Sequence, residues 1–179
     1  MGRDKLDLEV GGAPLIRRVY DVLARQCEEV LVVGPERCGA LPAEARYVSD
    51  LRAGFEGPLA GMEAGFLSAQ HPLLFVAAGD MPFLPDELVV YLLGHVAQGD
   101  VRAAVPRWNG LHPLCAAYER GIFPLVQKAL DGGVRAVWEM LESIGRVEYF
   151  QEELTQFGEP DKFLMNVNTA KDLERARSG

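Results

Sequence analysis

The chain has 179 residues, 49% apolar and 25% charged, enough for one domain with a core of its own. A formal net charge of −8 argues against a nucleic-acid-binding surface, though one local group of cations can still hold a phosphorylated small molecule. No apolar stretch approaches the roughly 18 residues of a membrane span, and no apolar run follows Met1-Gly2-Arg3-Asp4-Lys5, so neither a span nor a signal peptide is expected.

Residues 14–26 place Leu15, Ile16, Val19, Val22 and Leu23 at helical spacing, with Arg17, Arg18 and Arg25 on the other side. A short buried strand is predicted over 28–34 and a second over 46–50, the latter ending in Asp50. A helix over 58–69, a strand over 73–78 and an amphipathic helix over 86–97 follow. From Val101 the texture changes. Residues 102–108 and 111–118 read as two strands joined at Asn109-Gly110. Helices are predicted over 122–131 and 134–144, and strands over 147–150 and 164–168. A closing helix starts from a Thr169 N-cap supported by Asp172.

Strands alternating with helices in the first half indicate βαβ units. No repeat, low-complexity tract or linker divides the chain. The expectation is a single domain over residues 1–179: a three-layer α/β fold, mostly parallel, with an antiparallel second half. Cys27, Cys38 and Cys115 include no Cys-x-x-Cys pair and read as reduced thiols of a cytoplasmic protein. Cys27 and Cys115 lie in apolar surroundings and read as core fillers.

The chemistry concentrates at strand ends. Asp80 follows the apolar run of residues 73–78, and Pro82 biases Met81 toward an extended backbone that leaves the carboxylate at the rim of the sheet. A lone carboxylate there suits Mg²⁺ carrying phosphates, or it caps the next helix. The loop from Gly54 to Gly61 leads into a helix N-terminus, where free N–H groups favour an anionic ligand, or it is an ordinary turn. Arg3 and Lys5 could neutralise a triphosphate or stand solvated. His112 could contact a substrate or pack at the surface. Asn166 and Asn168 fall on one face and could read a heterocycle's edge or satisfy loop backbone. The sequence has no Gly-x-Gly-x-x-Gly after a strand, no Walker loop, no Gly-x-Ser-x-Gly and no His-Glu-x-x-His, which counts against dinucleotide oxidoreductases, P-loop NTPases, serine hydrolases and zincins.

Taken in order, Met1-Gly-x-Asp-Lys5, Asp50, Gly57-Pro-Leu-Ala-Gly61, Gly79-Asp-Met-Pro-Phe83, His112-Pro113 and Asn166-Val-Asn-Thr169 resemble the molybdenum cofactor guanylyltransferases. Each motif is weak alone; the ordered set is specific and covers nearly the whole chain. The resemblance implies a Rossmann-like nucleotidyltransferase fold and transfer of GMP from GTP to the phosphate of molybdopterin or Mo-molybdopterin, releasing pyrophosphate. It implies that Asp80 carries Mg²⁺ and that Lys5 holds the phosphates, these two being the catalytic pair. Asp50, Gly57, Pro58 and Leu59 join Lys5 and Asp80 in binding the nucleotide, while His112, Asn166 and Asn168 face the pterin substrate. The implied partners are GTP, molybdopterin and other molybdenum cofactor proteins, with no nucleic acid and no membrane.

Members of that family open with a strand and a Leu-Ala-Gly-Gly-x-Ser-x-Arg loop immediately before Met-Gly-x-Asp-Lys, and this sequence has neither. The expectation is a start internal to a longer product, or residues dropped from the sequence; alone, the chain is expected to bind GTP poorly and fold weakly. Two alternatives stand beside the guanylyltransferase. One is a cytidylyltransferase or other nucleotidyltransferase acting on another phosphorylated acceptor. The other is a non-catalytic nucleotide-binding protein of the same fold.

Overall fold

The structure is a computed structural model and describes residues 8–34, 39–52 and 57–178. Its first element is a hairpin that the periodicity does not announce. β1 (Glu9–Val10) pairs antiparallel with β2 (Ala13–Pro14) through Gly11 and Gly12, both at positive φ, which a tight hairpin turn requires. Helix α1 (Leu15–Gln26) follows with Pro14 just outside it, and buries Leu15, Ile16, Val19 and Val22.

β3 (Leu31–Val33) and β4 (Arg46–Val48) form a parallel pair. α2 (Pro58–Ser68), β5 (Leu73–Ala77) and α3 (Asp86–Ala97) come next, within a residue of their predicted limits. β6 (Ala103–Pro106) and β7 (Cys115–Glu119) are antiparallel, as the Asn109-Gly110 turn predicts. A 3-10 turn at Arg120–Ile122 leads into α4 (Phe123–Asp131), then α5 (Val137–Ile144) and β8 (Val147–Phe150). A further 3-10 segment, Glu152–Phe157, precedes the short α6 (Pro160–Phe163) and α7 (Ala170–Ser178).

Four strands form one ladder in the order β5-β7-β6-β8. β7 sits between β5 and β6, antiparallel to both, while β8 runs parallel to β6. The alternation of side chains sorts residues cleanly between two faces. Leu73, Phe75, Ala77, Ala104, Cys115 and Ala117 pack with α1 and α3. Leu74, Val76, Ala103, Val105, Ala116 and Tyr118 pack with α2, α4 and α5. This is the expected three-layer arrangement.

Among the described residues β3–β4 is a separate ladder, unbonded to β5. Helices join the two. α1 sends Ile16 and Tyr20 toward Val32 and Tyr47, and Val19 and Val22 toward the face of β5. α2 sets Gly61 and Gly65 against Val33 while Leu59, Ala60, Met62 and Phe66 join the core behind β5.

The strand predicted over 28–34 is confined to Leu31–Val33, the strand predicted from 111 starts at Cys115, and two further elements differ. Residues 165–168 form no ladder strand, because the Val167 N–H donates to the Asp80 carbonyl at 2.9 Å. The helix expected from residue 134 starts at Val137, since Ala136 is extended and the Arg135 guanidinium turns back onto the carbonyls of Leu130 and Val134. At the C-terminal end the capping box forms as predicted: the Asp172 N–H donates to Thr169 Oγ1 at 3.1 Å and the Thr169 N–H to Asp172 Oδ2 at 2.9 Å.

Candidate functional site

The C-terminal end of β5 collects three of the segments singled out above. The β5–β7 ladder pairs Ala77 with Cys115 and continues as an Ala78 N–H bond to the Leu114 carbonyl at 2.8 Å. That register carries Gly79 and Asp80 toward His112 and Pro113. On the other side, the Val167 bond to the Asp80 carbonyl brings in Asn166 and Asn168. Both amides are exposed and Val167 is fully buried, so the two share one face, as the sequence spacing predicts.

Asp80 itself is more enclosed than its rim position suggests, with only 7% of its surface exposed. Its carbonyl accepts from the Val167 N–H, a contact that a strand-end argument cannot foresee. Asp80 and Glu63 are the two charged residues buried among the described part of the chain. His112 is half-buried, and its Nε2–H donates to the Trp108 carbonyl at 2.8 Å. That bond holds the ring and leaves Nδ1 as the acceptor when the imidazole is neutral.

A second group forms where β4 leads toward α2. Asp50 is exposed two residues beyond β4, and its Oδ1 lies 3.9 Å from where a Cβ on Gly61 would stand. Gly57 has φ +75, which strains any side chain, and a Cβ there would crowd the Arg135 carbonyl at 3.2 Å. Gly57 offers no side chain to cap α2 and Pro58 lacks an N–H, leaving the first-turn donors of this helix without a side-chain partner.

An unpredicted ion pair accompanies this group. Arg52 Nε and Nη2 donate to the two Glu63 oxygens at 2.7 and 2.9 Å, and Nη2 also reaches Asp131 Oδ1 at 2.9 Å. Hydrogen bonds donated to Glu63 first, then to Asp131, raise the Arg52 pKa above its ordinary value. The sequence signal was a glutamate inside the otherwise small and apolar face of residues 58–66, easily read as a solvated helix position.

Lys5, Arg3, Cys38 and residues 54–56 of the glycine loop lie outside the described residues. Cys115 is fully buried, and burial pushes its thiol up to about 12, while burial also raises Cys27. Both fit core filling rather than nucleophilic chemistry. Among the described residues no three His, Cys, Asp or Glu side chains are grouped to hold a metal. The single carboxylate of Asp80 is compatible with a divalent ion of the Mg²⁺ type, which takes one or two protein carboxylates and completes its shell with waters and phosphate oxygens. A cavity of about 550 Å³ lies between α1 and the start of α3, lined by Arg18, Phe83 and Lys162 among others; Asp80, Asp50, His112, Asn166 and Asn168 do not line it. No described helix is long and apolar enough to cross a membrane.

The family profile of the MobA-like NTP transferase domain matches residues 1–147. A probable molybdenum cofactor guanylyltransferase from Pelotomaculum thermopropionicum is 37% identical, over 99% of this chain and 85% of its own. The molybdenum cofactor guanylyltransferase of Desulfosudis oleivorans is 30% identical over 99% of this chain and 87% of its own. The crystal structure of molybdopterin-guanine dinucleotide biosynthesis protein A from Archaeoglobus fulgidus matches with a TM-score of 0.82 at 26% identity, covering 99% of this chain and 90% of that one. The chain thus belongs to the MobA-like NTP transferase family and, within it, to the molybdenum cofactor guanylyltransferases, nucleotidyltransferases of molybdenum cofactor biosynthesis.

Proposed function

We propose that this protein transfers GMP from GTP to the phosphate of molybdopterin, or of Mo-molybdopterin, with release of pyrophosphate. The observation that carries the reading is the meeting of Asp80, the His112-Pro113 segment and the Asn166–Asn168 face in a chain whose relatives are named for guanylyl transfer. An oxygen of the acceptor phosphate attacks the α-phosphorus of GTP; the bond from that phosphorus to the bridging oxygen breaks, and pyrophosphate leaves with the electron pair. No protein nucleophile is needed, so the residues act by positioning and electrostatics.

Asp80 would hold Mg²⁺, and a bound ion there offsets negative charge on the phosphate oxygens. Lys5 balances the phosphates with a mobile point charge. Asp50, Gly57 and Pro58 border the guanosine; Leu59, expected there too, is fully buried in the core behind β5 and supports this group from within. His112, Asn166 and Asn168 orient the pterin, two amides on one face being suited to a ring edge that both donates and accepts. The setting expected for this reaction is the cytoplasm.

Pyrophosphate release, measured with each of the four NTPs in the presence and absence of molybdopterin, tests the proposal. GTP with molybdopterin and Mg²⁺ is expected to give the signal, and preference for CTP would refute the guanylyl assignment. Asp80→Asn is expected to lower turnover by roughly 10²–10³-fold, the scale for loss of one electrostatic contributor. Wild-type turnover by a folded Asp80→Asn protein would refute the role of this carboxylate.

A further inference from the structure

We propose that Arg52 and Glu63 are a positioning pair that sets Asp50 against the N-terminal half of α2 and so fixes the nucleotide-binding cleft. The inference rests on reading Asp50, Gly57 and Pro58 as the nucleotide-binding group. Glu63 is 3% exposed, and burying its charge is tolerated because the Arg52 fork meets both oxygens at 2.7 and 2.9 Å. A pair of leucines would fill such a site at least as stably, so what the ion pair adds is direction.

The geometry shows what is directed. Arg52 stands two residues after Asp50, and Glu63 two residues after Gly61, whose Cβ position lies at contact distance, 3.9 Å, from Asp50 Oδ1. Nη2 of Arg52 extends the fork to Asp131, the last residue of α4. Four residues on, the Arg135 carbonyl lies 3.2 Å from the Cβ position of Gly57. Residues 131–135 therefore touch Arg52 and Gly57. Loss of the fork leaves Gly57 seated and removes the anchor two residues from Asp50.

The test uses the full-length protein, the double replacement of Arg52→Leu with Glu63→Leu, and the single change Arg52→Lys, which keeps the charge and loses the planar fork. Each is measured for GTP affinity by titration, for KM and kcat of pyrophosphate release, and for thermal midpoint. Both variants are expected to weaken GTP binding and raise KM for GTP about tenfold while kcat changes by less than about threefold, the pattern of lost ground-state positioning. The double variant is expected to keep its thermal midpoint; should it fail to fold, Arg52→Lys decides. Folded variants with unchanged GTP affinity and KM would overturn the proposal. An unaltered protein that binds GTP but releases no pyrophosphate would refute the enzymatic reading alone, and the GTP affinities would still judge the pair.

Discussion

β6 and β7 are held very differently from β3 and β4. Ala103 to Pro106 and Cys115 to Tyr118 are buried without exception; each strand has a neighbour on both edges and helices on both faces. Leu31 to Val33 are only half-buried, and among the described residues β3 bonds to β4 alone. A two-stranded ladder has little stability of its own. β3–β4 keeps its place through α1 and α2, whose side chains grip both ladders. Asp80 extends from the well-paired ladder and Asp50 from the helix-held one, so the two acids of the proposed nucleotide site stand on supports of unequal rigidity.

The contrast can be broken most directly by core truncation. Leu88→Ala, at a fully buried position of α3 over the four-stranded ladder, is expected to cost about 2–5 kcal/mol in urea unfolding. Val33→Ala, half-buried in β3, is expected to cost about 1 kcal/mol, and equal losses would erase the distinction. Amide hydrogen exchange sharpens it next: amides of β6 and β7 should exchange only through near-global opening, and those of β3 and β4 through local opening. Similar protection in both ladders would show them to be one cooperative unit.

Smaller effects follow. Tyr118 donates its hydroxyl to the Pro113 carbonyl at 2.7 Å, beside His112. Tyr118→Phe is expected to cost about 1 kcal/mol of stability through that lost bond, and a wild-type unfolding midpoint would count against it. The smallest effect is acid-dependent. Hydrogen bonds from Arg25, then Gln26, lower the pKa of Asp86 below its ordinary 3.8. Its contribution is therefore complete above pH 3.8 and is lost as pH falls through the lower folded value. Asp86→Asn should flatten the stability–pH slope below about pH 4, and an unchanged slope would remove the Arg25–Asp86 link between α1 and α3 from the account.

Much of this was legible. Helical spacing located α1 and α3, Asn109-Gly110 located the β6–β7 turn, and Thr169 with Asp172 located the start of α7. The motifs at Asp50, Gly57, Asp80, His112 and Asn166 were readable as residues, and their family could be recognised from their order. Other features had no local signal. Asn166-Val167-Asn168 looks like a strand until Val167 is seen to spend its N–H on Asp80. The partner of Glu63 lies eleven residues earlier in the sequence and outside α2, so the periodicity of the helix does not point to it.

From the sequence alone came the order of elements from α1 to β8, the buried side of α1 and the motif residues, because periodicity and turn chemistry are local properties of the chain. The tertiary structure alone decided that β7 enters between β5 and β6, that Asp80 is buried and bonded through its carbonyl to Val167, and that Arg52 locks onto Glu63. Alternation says which side of a strand is buried but not which strand lies beside it. Neighbours are chosen by the simultaneous burial of every face, and that is a property of the whole packed chain.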